Sequence, residues 1–363
     1  MGAELVSIPK AGLIAATPTI ANRTSHGVLN YAARGQVLQP AICFDGSSTG
    51  NVLGMGDIGN DSAPHSNIVC SVVLNGGAPT ATLAPAISIN VSPYVVPFNS
   101  DLVTPLFNPT QPDGTTNIMA NEARLSGKVY AVNGSLYAAH STEVNNRIAV
   151  RWYRINATNH VLLESGTIAD ANLDLFFPSI AANTNGVVVI GCNGSSINTF
   201  VSCFAIAGAT ANGVTKFGNP VLLQSGQTSY HGDDEVLQQL LDQPAFSRWG
   251  DYSATAVDPV DPNRFWTIQM FPSDSANEDV WSTRITELIT VINPTLTITR
   301  SNANVVVSWP LLNATGFNLE SNTNIVASNN WTVISQNLST NSGRIVYQTP
   351  LTNSLRFFRL HKP

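Results

Sequence analysis

Apolar and polar positions alternate along residues 252–257, a spacing that predicts a β-strand with one buried face. Residues 258–263 follow with the turn sequence Asp-Pro-Val-Asp-Pro-Asn, and the β-rich run of residues 265–271 resumes the strand pattern. Together these stretches predict a β-hairpin. Two further hairpins are predicted upstream, where Asn-Gly separates apolar β-rich runs at residues 133–134 and 185–186.

Each predicted hairpin is followed by a polar loop and a third strand, at residues 147–155, 200–206 and 280–288. Repeated units of strand, turn, strand, loop and strand, spaced by roughly fifty residues or more, are typical of propeller blades. The predicted fold class is therefore all-β, with a β-propeller of five or six blades over residues 1–290. Short strand patterns separated by Asn, Ser, Thr and Gly turns then predict a small antiparallel β-sandwich over residues 294–363.

Several short motifs carry a family resemblance. They are RWGDYS at residues 248–253, VDP at 257–259, FW at 265–266, DLFFPSIA at 174–181 and NGSS at 193–196. In these motifs the chain resembles a group of secreted bacterial proteins described as sialidase-like β-propellers, and the likeness covers most of residues 1–290. The resemblance implies the fold and leaves the reaction open, because one fold hosts many chemistries. The C-terminal stretch resembles modules appended to secreted proteins of environmental bacteria.

Composition narrows the class of protein and of partner. Charged residues make up 11% of the chain, against about 25% in average soluble proteins, which suits an extracellular all-β protein. The net charge of −6 and the scattered Lys and Arg residues give no electrostatic footprint for nucleic acid. Residues 1–10 lack the pattern of a signal peptide, and no apolar run is long enough to span a membrane. We expect a secreted or periplasmic monomer, with its signal peptide absent from this sequence, that acts on a small molecule or a glycan.

The four cysteines occur in a pattern that is used twice. Cys43 precedes Asp-Gly-Ser-Ser and Cys192 precedes Asn-Gly-Ser-Ser, and each is followed later by a second cysteine, Cys70 or Cys203. This repeat favours the disulfides Cys43–Cys70 and Cys192–Cys203. The alternative is four buried thiols, because reduced cysteine packs well in protein cores.

Polar side chains stand at comparable positions near the starts of the predicted innermost strands. In a propeller these positions approach the central channel, so the side chains are expected to converge on one point. The candidates are Glu122 with Arg124, Asp174, and Asp251 with Arg248 and Tyr252.

Two chemistries are compatible with such a group. A sialidase needs an arginine cluster for the substrate carboxylate, a Tyr–Glu pair and an Asp acid; the Ser-x-Asp-x-Gly-x-x-Trp box of sialidases is absent. The favoured hypothesis is a metal-assisted hydrolase of esters or phosphoesters, phosphotriesters included, in which a divalent metal polarises the substrate oxygen. Its predicted metal ligands are Asn121, Glu122, Asp174 and Asp251, with His65, His140 or His231 as a base. A third hypothesis is a glycan- or surface-binding propeller that holds a structural ion without turnover.

Two further stretches add candidate residues. The Gly-rich loop of residues 54–67 contains Asp57 and Asp61, whose oxygens suit calcium. An ordinary polar surface loop explains the same residues, since Asp and Asn are common in turns. Residues 231–242 predict an amphipathic helix. It either walls one side of the channel mouth, which makes His231 a site candidate, or fills a hydrophobic gap. In the C-terminal module, Trp309 and Trp331 are expected in the core, with glycan binding as the alternative.

Overall fold

The chain folds into two compact units, Met1–Ile289 (unit 1) and Thr290–Pro363 (unit 2). The computed structural model describes residues 2–44, 49–56, 65–97, 108–116, 118–120, 123–125, 127–232, 247–290, 294–311, 314, 316–326, 330–341, 343–352 and 354–362. Within these ranges the regular structure is β except for two single helical turns, α1 (Lys10–Leu13) and α2 (Tyr31–Arg34). The predicted all-β class is confirmed. No helix in the described ranges is long and apolar enough to cross a bilayer.

Unit 1 begins with an antiparallel hairpin of β1 (Gly2–Ser7) and β2 (Thr24–Asn30). A nine-stranded sheet follows. Its strands are β3 (Gln36–Cys43), β4 (Gly50–Met55), β5 (His65–Leu74), β6 (Thr82–Leu83), β7 (Ile87–Tyr94), β8 (Val129–Val132), β9 (Ser135–Val144), β10 (Arg147–Asn156) and β11 (Leu162–Ile168). The order is β11-β10-β9-β8-β3-β4-β5-β6, with β7 also paired to β5. Every pairing is antiparallel except that of β3 with β8, which is parallel and joins two antiparallel meanders.

Two further antiparallel sheets complete unit 1. The first contains β12 (Asp174–Ala182), β13 (Val187–Ser196), β14 (Thr199–Ala211), β15 (Val214–Phe217) and β16 (Val221–Gln224). The second contains β17 (Ala254–Val257), β18 (Arg264–Pro272) and β19 (Trp281–Ile289). The three hairpins predicted from sequence are therefore confirmed, as β8–β9, β12–β13 and β17–β18. At the first turn Asn133 and Gly134 adopt φ of 49° and 69°, the left-handed conformation that Asn-Gly favours.

The turns of these three hairpins are hydrogen-bonded to one another. Asn133 Nδ2 donates to the carbonyl of Thr184 at 2.9 Å. Asn183 Nδ2 donates to the carbonyl of Pro262 at 2.6 Å, and Asn185 Nδ2 to Asn263 Oδ1 at 2.9 Å. The carboxyl ends of β8, β12 and β17 therefore meet at one end of unit 1, and the segments that enter these strands lie toward the other end.

Residues of the family-like motifs contact one another in the interior. Ser253 Oγ hydrogen-bonds to the carbonyl of Phe177 at 2.7 Å and to Ser179 Oγ at 2.8 Å, and Ser179 Oγ also lies 2.8 Å from Thr255 Oγ1. Phe177 occupies a bulge of β12 with φ of 48°. Gly191 lies opposite Ser179, and a Cβ there would collide with the side chains of Thr267, Gln269 and Thr255, so this position requires glycine. Ser179, Ser253 and Phe177 of these motifs thus serve internal packing.

The predicted disulfides are wrong, because all four cysteines are thiols. Cys192 lies opposite Phe204 and Cys203 opposite Asn193, so the two thiols project from opposite faces of the β13–β14 pair. Cys43 and Cys70 lie on β3 and β5, which are separated by β4. Two strand spacings amount to roughly 9–10 Å, beyond the Cα separation that a disulfide accepts. Burial raises the pKa of Cys70, Cys192 and Cys203 to about 12, which keeps these thiols protonated and unreactive.

Unit 2 consists of two antiparallel sheets that share one hydrophobic core. The first has the order β20-β21-β25-β24 and the second β23-β22-β26. Their strands are β20 (Thr297–Ser301), β21 (Asn304–Pro310), β22 (Asn318–Asn322), β23 (Thr332–Val333), β24 (Leu338–Asn341), β25 (Arg344–Pro350) and β26 (Phe357–His361). Trp309 lies in the core with Val307, Leu319 and Tyr347. Trp331 is half-buried beneath the Arg359 guanidinium, 4.4 Å from the ring centroid.

Candidate functional site

The segment that enters β17 is pinned at two buried residues and presents its charged side chains between them. Trp249 is 2% exposed, and its indole N–H donates to Asn193 Oδ1 at 3.2 Å. Ser253 is held by the Phe177 carbonyl, as described above. Arg248 and Tyr252 are exposed, and Asp251 lies between exposed and buried. Because the side chains of Trp249 and Ser253 point into the interior, the charged and phenolic side chains next to them in sequence remain at the surface.

Arg124 reaches the same place from the segment that precedes β8. Its neighbours Ala123 and Leu125 are fully buried in the core of the nine-stranded sheet. Further upstream, Ile118 forms a parallel bridge with Ser247, so the segments that enter β8 and β17 run side by side. The predicted convergence at strand entrances therefore holds for these two segments.

The three charged groups form one cluster, here called the arginine–aspartate cluster (Arg124, Arg248 and Asp251). Asp251 Oδ2 lies 4.0 Å from Arg124 Nη1 and 3.8 Å from Arg248 Nη2. The Arg248 side chain is 51% exposed, and those of Arg124 and Asp251 are 24% and 22% exposed. Two guanidinium groups thus flank one partly exposed carboxylate at the boundary with solvent.

A groove of about 660 Å³ borders the cluster at Tyr252. The residues that line it include Met270, Trp281 and Lys128 as well as Tyr252. Tyr252 and Trp281 are 59% and 50% exposed. Sequence reasoning missed Lys128 and Trp281. The signal available for Trp281 was an aromatic residue that opens an edge strand at a position facing solvent.

Asp174 is held by a different set of partners from those of Asp251. Its Oδ1 accepts the backbone N–H of Ile148 at 3.0 Å and its Oδ2 that of Thr110 at 3.2 Å, with Arg147 Nη1 3.5 Å away. Burial raises the pKa of Asp174, and these two amides and the guanidinium oppose the increase. Both oxygens therefore fasten β12 to the neighbouring chain segments, a role that explains the residue without a ligand.

His231 belongs to a second polar group. Its Nε2 lies 2.6 Å from Asp113 Oδ2 and 3.9 Å from Glu278 Oε2. Burial disfavours the charged form of Asp113, but hydrogen bonds from Thr115 and His231 outweigh it and lower the pKa of Asp113. The contact with Asp113 fixes the ring orientation of His231.

The other two histidines proposed as bases lie in strands. His140 is fully buried on β9, with Nδ1 2.7 Å from the Ser141 carbonyl and Nε2 2.8 Å from the Tyr153 hydroxyl. His65 opens β5, with its ring centroid 5.9 Å from that of Tyr94. Burial lowers the pKa of His140 to about 4, so this ring stays neutral in the interior and cannot meet a substrate.

The described part of the predicted metal site does not fit a divalent cation. Asp251 lies between two guanidinium groups, whose positive charges repel a metal cation. Both oxygens of Asp174 accept backbone N–H groups. Within the described ranges, no group of three or more His, Cys, Asp or Glu side chains has the arrangement of a metal site. The remaining predicted ligands, Asn121, Glu122, Asp57 and Asp61, lie outside the described residues, as does the predicted helix beyond Gly232.

No protein family model matches the chain, and no curated protein matches it significantly. The sialidase-like resemblance therefore stays a prediction.

Proposed function

We propose that unit 1 binds an acidic sugar through its carboxylate at the arginine–aspartate cluster. The observation that carries the proposal is the pair of arginines, Arg124 and Arg248, on either side of Asp251 at the solvent boundary. A guanidinium donates two parallel hydrogen bonds to a carboxylate, and this bidentate geometry is the strongest neutralising contact that a side chain offers it. Asp251 orients the pair by drawing both guanidinium groups toward one point.

The groove beside the cluster suits the rest of such a ligand. A sugar ring has an apolar C–H face, which packs against aromatic rings, and Tyr252 and Trp281 supply two exposed rings. Lys128 in the same lining adds a cation for a further acidic or hydroxyl group. Tyr252 follows Asp251 directly, so a ligand whose carboxylate meets the arginines would extend along the groove.

A second candidate function is hydrolysis of an acidic glycoside of the sialidase type. The observation that favours it is the exposed phenol of Tyr252 beside Asp251, since such enzymes use a Tyr nucleophile and an Asp acid. Metal-assisted hydrolysis of esters or phosphoesters remains a prediction with less support, because the described ligands do not fit a divalent cation.

We also propose that unit 1 has a propeller-like arrangement, which would bring the strand entrances that carry the cluster to one face. Three features support it: the parallel pairing of β3 with β8, the packing of β12 against both β8 and β17, and the hydrogen bonds among the three hairpin turns. In a propeller the innermost strands run side by side around an axis, and their entrances share one face. The five or six blades and the secreted or periplasmic location stay predictions.

Replacing Arg248 with Gln is expected to weaken binding of N-acetylneuraminic acid or galacturonic acid by roughly 10–100-fold. The estimate follows because a charged hydrogen bond contributes about 1.5–3 kcal/mol. Titration calorimetry measures the change. Arg264→Gln is the matched control, since Arg264 is a part-exposed arginine of unit 1 that pairs with Glu287 on the neighbouring strand. Equal losses in the two variants would contradict the proposal.

The same preparation separates the two hydrolase hypotheses. Sialosides, activated esters and phosphotriesters are offered before and after chelation, with calcium restored afterwards. Cleavage of sialosides that resists chelation and falls in Tyr252→Phe would establish the second candidate. Cleavage of esters or phosphotriesters that disappears with chelator and returns with calcium would replace the acidic-sugar proposal with the metal-assisted reaction.

A further inference from the structure

Unit 2 differs sharply in charge from the rest of the chain. Residues 290–363 contain five Lys and Arg and a single Glu, a formal charge of +4, whereas residues 1–289 contain twelve Lys and Arg and twenty-two Asp and Glu, a formal charge of −10. A basic module joined to an acidic protein indicates a partner of negative charge.

The single acidic side chain of unit 2 is already engaged. Glu320 Oε2 accepts a hydrogen bond from Arg359 Nε at 2.7 Å, and its Oε1 lies 3.1 Å from His361 Nδ1. Arg344 is bound by neutral oxygens of Ser308 and Thr297. Within unit 2, the positive charge of the remaining cations is therefore balanced by no side-chain carboxylate.

One of these cations stands at a polar pocket of about 550 Å³. Arg356 contributes to the lining, and its guanidinium carbon lies 5.9 Å from the centroid of the Phe358 ring, which gives the side chain a fixed aromatic neighbour. Tyr347, which is 7% exposed, also lines the pocket, and its ring centroid lies 6.1 Å from that of Phe358. The pocket is lined by loops at the end of β22 and between β23 and β24, so it is a feature of unit 2 alone.

Five of the described lining residues of the pocket carry a side-chain amide: Asn322, Asn324, Asn330, Gln336 and Asn337. Two of them belong to local turns that fix the wall: Asn322 Oδ1 accepts the N–H of Asn324 at 2.9 Å, and Asn324 Oδ1 that of Val326 at 3.0 Å. None of the described lining residues carries a carboxylate. The pocket thus offers many neutral donors and acceptors and one positive charge.

We propose that this pocket binds an acidic saccharide, with Arg356 on the carboxylate and the amides on the hydroxyl groups. A hydroxyl is both donor and acceptor, and an Asn or Gln side chain supplies both partners. A ligand of this volume matches a mono- or disaccharide, because pockets of about 300–1,000 Å³ hold small-molecule ligands. A cationic ligand is disfavoured, since it would meet Arg356 without a compensating carboxylate. The inference stands independently of the arginine–aspartate cluster, because it adds a second site on a different unit.

The test is titration of the full chain with a galacturonic acid disaccharide and, in parallel, with neutral galactobiose. The acidic disaccharide is expected to bind at two sites per chain. Arg356→Gln should weaken one of them at least tenfold, and Gln336→Ala should weaken the same one. Arg300→Gln, a change on β20 away from the pocket lining, is the control and should leave both sites unchanged. Thermal unfolding of each variant shows that the fold is retained.

The outcomes separate the two proposals. Loss of one site in Arg356→Gln and of the other in Arg248→Gln supports both. Binding that responds to Arg248→Gln but not to Arg356→Gln overturns the site in unit 2 and leaves the proposed function of unit 1 intact. Binding that responds to Arg356→Gln but not to Arg248→Gln supports the site in unit 2 and overturns the proposed function. Equal binding of galactobiose, or no saccharide binding that depends on Arg356, overturns the inference.

Discussion

Replacing Trp249 with alanine is expected to lower the free energy of unfolding of unit 1 by about 4 kcal/mol, since removal of a buried aromatic side chain costs about 3–5 kcal/mol. The ring is 2% exposed and packs edge-on against Tyr230, with 4.8 Å between ring centroids. The substitution also removes the indole donor of Asn193 Oδ1, which leaves a buried acceptor unsatisfied. Urea denaturation followed by circular dichroism measures the loss.

Trp281→Ala is the matched control for this prediction. Trp281 is also a tryptophan of unit 1, but it is 50% exposed on the edge strand β19. Its replacement is expected to cost at most about 1 kcal/mol, because surface substitutions have small effects. Comparable losses in both variants would show that Trp249 does not anchor the segment that carries Arg248 and Asp251.

The second large effect expected is a loss of stability on acidification that originates at His140. Burial lowers the pKa of His140 to about 4 from the ordinary value of 6.5, the Ser141 carbonyl opposes this, and Arg151 adds to it. Between pH 6.5 and pH 4 the unfolded chain binds a proton at this residue that the folded chain does not. Stability therefore falls as the pH falls through this window, by up to about 3 kcal/mol at 1.36 kcal/mol per pKa unit.

Urea denaturation at half-unit steps from pH 7 to pH 4 measures this slope. In His140→Gln the titrating group is absent, so the free energy of unfolding should change less with pH even though the variant is less stable at pH 7. His160, whose pKa burial also lowers, contributes a residual slope in the same direction. Identical slopes in the wild type and in His140→Gln would contradict the buried neutral state of this ring.

Local signals in the sequence predicted much of the secondary structure. The Asn-Gly pairs at residues 133–134 and 185–186 identified two hairpins, because few other dipeptides adopt the left-handed turn that joins twisted strands. Both residues of the first pair are left-handed, whereas in the second pair only Gly186 is, with φ of 81°. The parallel pairing of β3 with β8 was out of reach, since it joins segments almost ninety residues apart and leaves no periodic signal in either. The cysteine pattern misled for a related reason: spacing along the chain does not reveal which face of a sheet a residue occupies.

The candidate site was predictable in part. Arg124, Arg248 and Asp251 were expected to converge because they occupy comparable places before two strands. Asp251 Oδ2 lies 4.0 Å from Arg124 and 3.8 Å from Arg248. Asp174 had the same signal, yet its oxygens are engaged by the backbone of Thr110 and Ile148. Residue type and position show that a carboxylate stands near a strand entrance, but only tertiary structure shows which donors surround it.

The most direct test of the central claim compares a sugar acid with its carboxamide at the arginine–aspartate cluster. The two ligands differ only in the charged group, and the Arg356→Gln background restricts the titration to unit 1. Binding of galacturonic acid at least tenfold tighter than that of galacturonamide, with the difference abolished in Arg124→Gln/Arg248→Gln, is the result that carboxylate recognition by the two arginines predicts. Equal affinity for the acid and the amide, or a difference that persists in the double variant, would contradict it.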